Sequence, residues 1–336
     1  MKKEIDFMRR AIELAKKGVG RVAPNPCVGC VIVKNDRIVG EGWHKRFGGP
    51  HAEIEALKKA GSRACGAVMY VTLEPCCHFG KTPPCTDAII KSKVREVFAA
   101  MIDPSLHANS KGIKILRAAG IRTQIGLCEK EALAINQIFL KNVRCKLPYV
   151  TLKVAASLDG KIAARTGDST GISCKKSLKF VHELRSEHDA VLVGAGTILA
   201  DNPHLGVRLI KGKSPIRVIL AGGQHIPASA KVFRDKNVIV FDSRRNINFV
   251  LKKLFERGVR SVLVEGGEKV FTSFLEAGAV DRYIAVIAPK LIGGARAKTP
   301  FSGKGIGEIK SALILKNVEF IQIGCDMVID GLLNLY

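Results

Sequence analysis

The chain has 336 residues and is 47% hydrophobic, enough for two domains with a core each, and it holds no apolar run long enough to cross a bilayer as a helix. Its formal net charge of +24 suits phosphates or other anions, but the excess is spread evenly: residues 1–146 carry 26 Lys and Arg against 13 Asp and Glu, and the remainder 28 against 17. With aromatics at 6%, this argues against a basic arm or an aromatic-interleaved stripe that tracks nucleic acid, and favours a phosphorylated small substrate.

The first residues, Met1 to Asp6, mix both charge signs and lack an apolar signal core, so a cytoplasmic location is expected. Ten cysteines in such a chain point to thiols that ligate metal or pack in a reducing compartment. Residues 3–18 read as an amphipathic helix ending at Gly18. Runs 28–34 and 37–42 read as strands joined by a turn at Asn35-Asp36. Cys27 and Cys30 flank Val28-Gly29 and open an apolar stretch, so they are read as small core residues rather than a redox pair. A helix is expected over 52–60, strands over 68–73, 94–101 and 121–126, and helices over 86–91, 111–119 and 130–142, giving a sheet covered by helices on both faces.

The chemistry of this half concentrates in Pro50-His51-Ala52-Glu53 and in the stretch from Glu74-Pro75-Cys76-Cys77-His78 to Pro83-Pro84-Cys85. One imidazole, two thiols and a spare carboxylate are the parts of a catalytic zinc centre, which keeps three protein ligands and leaves a position for water. His51, Cys76 and Cys85 are the expected ligands; Cys77 and His78 compete within the loop, and Cys76 is preferred because it directly follows Pro75. The prolines preset the backbone from which the thiolates project. Within regular helix His51 and Glu53 would point about 200° apart, so they converge only if His51 lies before the first turn. Cys85 stands just before the 86–91 helix, whose N-terminus favours a thiolate. Zinc lowers the pKa of its bound water, and Glu53 would carry the water proton to a ring nitrogen and then to departing ammonia. The H-x-E, P-C and later Cys pattern resembles the signature of zinc-dependent base deaminases.

The eight residues between Cys76 and Cys85, with Gly80-Lys81-Thr82-Pro83-Pro84, make the stretch resemble the deaminase domain of the bifunctional riboflavin-biosynthesis deaminase/reductase family. That resemblance implies a cytidine-deaminase-like α/β/α sandwich, with Asn25, His44, His78, Lys81 and Asp103 as substrate contacts, Lys81 toward the ribose phosphate. The family's Asp-Pro-Asn-Pro stands here as Asp103-Pro104-Ser105-Leu106, which implies the loss of an amide contact, with Asn109, nearby in sequence, as the candidate to compensate.

The polar, proline-ended stretch 141–148 places a boundary near Lys146, dividing the chain into 1–146 and 147–336. A strand over 149–156 leads to Ser157-Leu158-Asp159-Gly160-Lys161, and Val262-Leu263-Val264-Glu265-Gly266-Gly267 runs from strand to glycine turn to a helix over 269–276. No G-x-G-x-x-G follows an early strand, so a Rossmann domain is not expected, although the Gly266-Gly267 turn can bind phosphate at its helix start. These segments resemble the reductase half of the same family, with a dihydrofolate-reductase-like α/β fold. The resemblance implies NADPH as cofactor, held by Ala155, Gly171, Thr197, Asp201, Gly267, Glu268, Lys269, Val270, Phe271, Thr272 and Ser273. It implies substrate contacts at Ser169, Arg185, Leu205, Arg208 and Glu265, the two arginines suiting a phosphate. Gly171-Ile172-Ser173 replaces a family Trp-Ile-Thr and Gly206 a usual Thr, from which weaker NADPH binding is expected. The resemblance further implies a homo-oligomer, dimer or tetramer. Zinc-dependent deamination of a phosphoribosylamino-diaminopyrimidinone, then reduction of its ribosyl group to a ribityl chain, is the reading adopted. The alternative is a nucleic-acid-acting zinc base deaminase with a basic accessory domain.

Overall fold

Short strands that are nearly continuously apolar, separated by helices with one apolar stripe, build two units around separate sheets in the computed structural model, which describes residues 2–105, 108–242 and 246–336. One unit comprises Met1–Cys145 with Tyr336, the other Lys146–Leu335.

In the first unit the helix α1 (Lys2–Lys16) precedes β1 (Gly29–Lys34) and β2 (Arg37–Trp43). Asn35 and Asp36 both take the left-handed region, at φ 49° and 59°, which closes the hairpin with the twist its strands require. Then come α2 (Ala52–Ala60), β3 (Val68–Val71), α3 (Cys85–Lys91), β4 (Glu96–Ala99), α4 (Lys111–Ala118) and β5 (Arg122–Ile125). The sheet order is β2-β1-β3-β4-β5, antiparallel at the first two pairings and parallel at the others. Missing side chains let helices close onto it. A Cβ on Gly29 would lie 1.9 Å from the Ala11 carbonyl oxygen of α1, and one on Gly42 would lie 2.3 Å from that of Ala52 in α2. Gly42 pairs with Cys30, the residue next to Gly29, so α1 and α2 cover opposite faces. Cys27 and Cys30 are buried in this core as ordinary small residues, and burial raises both thiol pKa values.

Two expectations need correction here. The strand anticipated over 94–101 contracts to Glu96–Ala99, because β3 offers only Val68–Val71 as ladder partners. The single helix anticipated over 130–142 is two, α5 (Glu129–Ile135) and α6 (Gln137–Cys145). The break is Asn136, whose side chain accepts from Cys27 N at 2.8 Å and donates to Cys27 O at 3.1 Å. A buried amide that satisfies another segment's backbone outweighs one more turn of continuous helix.

The second unit runs β6 (Tyr149–Ser157), α7 (Lys175–Glu187), β7 (Ala190–Gly194), α8 (Ala195–Asp201), β8 (Ile216–Leu220), β9 (Val238–Phe241), α9 (Ile247–Glu256), β10 (Ser261–Gly266), α10 (Glu268–Glu276), β11 (Arg282–Ala288), β12 (Lys316–Ile323) and β13 (Asp326–Leu332). Its sheet order is β12-β13-β11-β6-β10-β7-β8-β9; only the two pairings made by β13 are antiparallel. Val150, Leu152, Val262 and Val264 pack on one face with Leu254 of α9 and Phe274 of α10. Leu263, Ile284 and Val328 pack on the other with Leu184 of α7. Each such side chain contributes about 2 kcal/mol on leaving water. The central parallel strands are thus apolar on both faces, as in sheets covered on each side.

Candidate active sites

Helix starts and strand ends position the first site. His51 is the N-cap of α2, with φ −75° and ψ 163°, so it stands outside the helix while Glu53 lies in the first turn. Cys85 opens α3 after Pro84, and its N–H donates to Cys76 Sγ at 3.3 Å. His51 Nδ1 is 3.4 Å from Cys76 Sγ and 3.3 Å from Cys85 Sγ, and the three donor atoms all lie within 4.8 Å of one another. A zinc tetrahedron with ordinary Zn–S and Zn–N bonds has an N–S edge of about 3.6 Å, so the residues present fit that ion. Cys77 and His78 fall outside this triad. Cys76 is held toward the thiolate by hydrogen bonding from Cys85, although its burial opposes this, and by His51.

Glu53 is 3% exposed, and its carboxyl is pushed up to about 7 by burial and by the charge on Cys76. It lines a cavity of about 390 Å³ together with Asn25, His44, His51, Cys76, His78, Lys81 and Asp103; Cys85 lies buried behind the wall. Asn25 Nδ2 donates to His44 Nε2 at 3.1 Å, which leaves His44 Nδ1 to donate to Pro50 O at 3.0 Å. That pair fixes a neutral ring whose pKa burial lowers. The Lys81 ammonium sits 4.0 Å from the Phe47 ring centroid at the rim. Ser105 lines the cavity and its N–H donates to Asp103 Oδ1 at 2.9 Å, whereas Leu106 lies outside the described residues. Asn109 is not among the lining residues.

One contributor was not legible in the sequence. Glu74 reads there as part of the Cys loop, but its buried carboxylate accepts from Asp103 N at 3.2 Å, Ser110 N at 2.9 Å and Ile113 N at 3.2 Å. It therefore ties the Asp103 segment and the start of α4 to the metal loop. A Cβ on Gly112 would lie 2.1 Å from Pro75 O, so α4 packs directly on that loop.

The second unit holds a cavity of about 1320 Å³ at the ends of β6, β7 and β10. Ala155, Ser169, Gly171, Arg185, Thr197, Asp201, Leu205, Glu265, Gly267, Glu268, Lys269, Val270, Phe271 and Ser273 line it. Arg208 and Thr272 do not. Arg208 is exposed and its N–H donates to His182 Nδ1 at 2.9 Å; Thr272 Oγ1 turns to Glu268 O at 2.9 Å and to Ser302. The Gly266–Gly267 peptide bond is cis, and a Cβ on Gly267, the N-cap of α10, would meet Thr197 Oγ1 at 3.3 Å. A side-chain-free helix start beside Lys269 and Lys298 is a cradle for a phosphorylated cofactor such as NADPH.

The charged floor of this cavity is Glu265, which Arg185 meets through two hydrogen bonds and Lys153 at 3.7 Å. Burial alone would raise the Glu265 carboxyl, but the two cations outweigh it and hold its pKa down to about 2. Lys153 was missed because a lone lysine in a strand reads as an outward polar position. The signal available was that its neighbours are apolar on both sides, leaving no solvent face. Gly171 has φ 74° with nothing within 4 Å of a built Cβ, while a Cβ on Gly206 would meet His204 Nδ1 at 2.7 Å and Arg217 Nη2 at 3.0 Å. The absent aromatic at 171 therefore leaves open space, and the absent threonine at 206 matches a crowded one.

Comparison with known proteins gives one answer for both halves. The family described as cytidine and deoxycytidylate deaminase zinc-binding region matches residues 1–101, and that described as RibD C-terminal domain matches residues 148–329. The riboflavin biosynthesis protein RibD of Aquifex aeolicus is 42% identical over 98% of this chain and 99% of its own, and that of Bacillus amyloliquefaciens is 43% identical over 96% and 94%. Among solved structures, Acinetobacter baumannii RibD superposes with a TM-score of 0.91 at 37% identity, covering 98% of this chain and 99% of its own. The Thermotoga maritima diaminohydroxyphosphoribosylaminopyrimidine deaminase/5-amino-6-(5-phosphoribosylamino)uracil reductase superposes with a TM-score of 0.88 at 40% identity, covering 98% of each.

Proposed function

Because the chain belongs to the RibD family of riboflavin biosynthesis proteins, we propose that the zinc triad of residues 1–146 and the charged cavity of residues 147–336 perform its two reactions in turn. The chain is a bifunctional enzyme, a zinc-dependent deaminase and an NADPH-using reductase, with a cytidine-deaminase-like and a dihydrofolate-reductase-like α/β domain. The substrate assigned to the first site is 2,5-diamino-6-ribosylamino-4(3H)-pyrimidinone 5′-phosphate, and its deaminated product is the substrate of the second.

The observation that carries the assignment is the buried Glu53 carboxyl in the first turn of α2, opening onto the same cavity as His51 and Cys76. Zinc, when bound by His51, Cys76 and Cys85, supplies Lewis-acid activation of water. Glu53 would take one proton of the attacking water as its oxygen bonds to the ring carbon and place it on the ring nitrogen, then pass the remaining hydroxyl proton to the amine, which leaves as ammonia as the C–N bond breaks and the carbonyl forms. Asn25, His44, His78 and Asp103 orient the ring, and Lys81 meets the phosphate.

In the second site Ala155, Gly171, Thr197, Asp201 and the segment 267–273 hold NADPH, which when bound supplies hydride. Ser169, Arg185, Leu205, Arg208 and Glu265 hold the ribosyl phosphate. Arg208 and Thr272, lying outside the cavity wall, would have to act after local rearrangement or through their backbone. We place the enzyme in the cytoplasm as a homo-oligomer, dimer or tetramer, by analogy with the family. The nucleic-acid alternative is disfavoured, since the likeness to RibD proteins runs the length of the chain.

The test is a coupled assay. Zinc-loaded protein given the pyrimidine should release ammonia, and only afterwards consume NADPH. Ammonia from an oligonucleotide but not from the pyrimidine would overturn the assignment.

A further inference from the structure

Outside both sites, two cysteines far apart in sequence meet a buried aspartate. We infer that Cys174, Cys325 and Asp326 form a second cation site, taking a thiophilic divalent ion of the zinc class where the start of α7 meets the β12–β13 turn. The two sulfurs and an Asp326 oxygen lie within 4.8 Å of one another. Thiolate, thiolate and carboxylate are a donor set that zinc accepts.

The geometry holds the donors ready. Asp326 is 1% exposed, and its Oδ2 accepts from Cys174 N at 2.7 Å and from Ser177 Oγ at 2.6 Å. Those bonds fix the carboxylate with Oδ1 toward the Cys325 sulfur, 3.5 Å away. Ligating carboxylates are commonly oriented by such outer hydrogen bonds. The hairpin is equally specific. Ile323 pairs with Asp326, leaving Gly324 and Cys325 as the turn, and a Cβ on Gly324 would lie 2.9 Å from Cys174 Sγ. The turn therefore rests on that sulfur, whose thiol donates to Ile323 O at 3.4 Å.

Access and charge agree with an ion. Cys325 is exposed and Cys174 half-buried, so one side of the cluster is open for entry and for a water as fourth ligand. Binding an ion would displace the two thiol protons, which Cys174 gives to Ile323 O and Cys325 to Asp326 Oδ1, and put a cation against the carboxylate in their place. A disulfide would use the sulfurs and leave the Asp326 carboxylate facing an uncharged bond. The sequence hides the site because no local spacing links residue 174 to residue 325. Its consequence is structural: α7 follows the Gly171–Ser173 segment and carries Arg185, both on the cofactor cavity, and the ion would pin its first turn to the hairpin.

The test uses full-length reduced protein, with zinc as the probe. Iodoacetamide labelling is mapped by mass spectrometry with and without zinc, and the exposed Cys65 and Cys145 serve as internal controls. Zinc should slow labelling of Cys174 and Cys325 by roughly tenfold and a chelator should restore it, with Cys65 and Cys145 unaffected. Metal content should be about two ions per chain and fall to about one in Cys325→Ser, a surface change that leaves the fold intact. Ser177→Ala, which frees the carboxylate, should weaken the second ion by roughly tenfold. Labelling of Cys174 and Cys325 that ignores zinc, or a parallel sample purified without reductant in which the two label only after one is added and so reveal a disulfide, would overturn the inference.

Discussion

Arg185 meets Glu265 edge-on, with Nε 2.6 Å from Oε1 and Nη2 2.9 Å from Oε2, in a position where neither side chain is more than about a tenth exposed. Arg185 Nη1 also donates to Gly206 O at 3.3 Å, so the same guanidinium holds the loop that carries Leu205. Arg185→Met would leave a buried carboxylate with Lys153 as its remaining cation. The expected loss is about 3 kcal/mol in the unfolding of the second unit, with NADPH oxidation abolished and ammonia release retained. Urea unfolding followed by circular dichroism, alongside both assays, checks this; a loss below about 1 kcal/mol would show that the pair is not holding the cavity floor.

Asn136 acts at the other site through Cys27. Asn136→Ala strands a buried N–H and a buried carbonyl of Cys27, at a cost of about 3 kcal/mol. Cys27 lies two residues from Asn25, so the pyrimidine KM of the deaminase should rise several-fold while zinc content stays the same. An unchanged KM would mean that Asn25 is positioned without this contact.

The second unit should weaken in mild acid because of His188. Burial first, and the Arg282 charge, lower its pKa to about 4 despite a hydrogen bond to Leu184 O at 2.7 Å and the nearby Glu265. Thr151 Oγ1, 2.8 Å from Nε2, completes a neutral ring. The unfolded chain binds this proton at ordinary histidine pH and the folded chain does not, so the stabilisation is full above about pH 6.5 and is lost as pH falls toward about 4. Unfolding free energy should drop by about 2 kcal/mol between pH 7.5 and pH 5 from this group, and His188→Asn should flatten that segment of the profile. An identical slope in the variant would assign the acid sensitivity elsewhere.

Gly171 bears on cofactor affinity. Gly171→Trp fills open space beside the cavity and should tighten NADPH several-fold, while its left-handed backbone costs about 1 kcal/mol in stability. Gly206→Thr should not tighten it, because the new side chain meets His204 and Arg217. Isothermal titration with NADPH separates the two; no tightening at 171 would contradict the weak-binding expectation.

What the sequence made legible was local. The α2 helix and the Asn35-Asp36 hairpin follow from periodicity and turn chemistry, and His51 falling outside the helix follows from the need to bring it near Glu53. What stayed hidden depends on partners distant in the chain. Asn136 interrupts a good helical pattern only because Cys27 lies beside it, Glu74 serves three backbone N–H groups beyond position 102, and Lys153 is tolerated inside a buried strand only because Glu265 faces it. Cys174 and Cys325, 151 positions apart, share no metal-ligand spacing for the same reason. Thr272 and Arg208 rest on position alone: helical phase turns the Thr272 hydroxyl back to Glu268 O, and the Arg208 side chain is exposed while its backbone N–H is held by His182.

The account rests most heavily on the Cys85 ligand. Zinc content and ammonia release should be measured on Cys85→Ser, with NADPH oxidation followed separately from the already deaminated substrate. The account predicts loss of the ion from the first site and of ammonia release, with the reductase reaction intact. Zinc occupancy and ammonia release equal to those of the unaltered enzyme would contradict it.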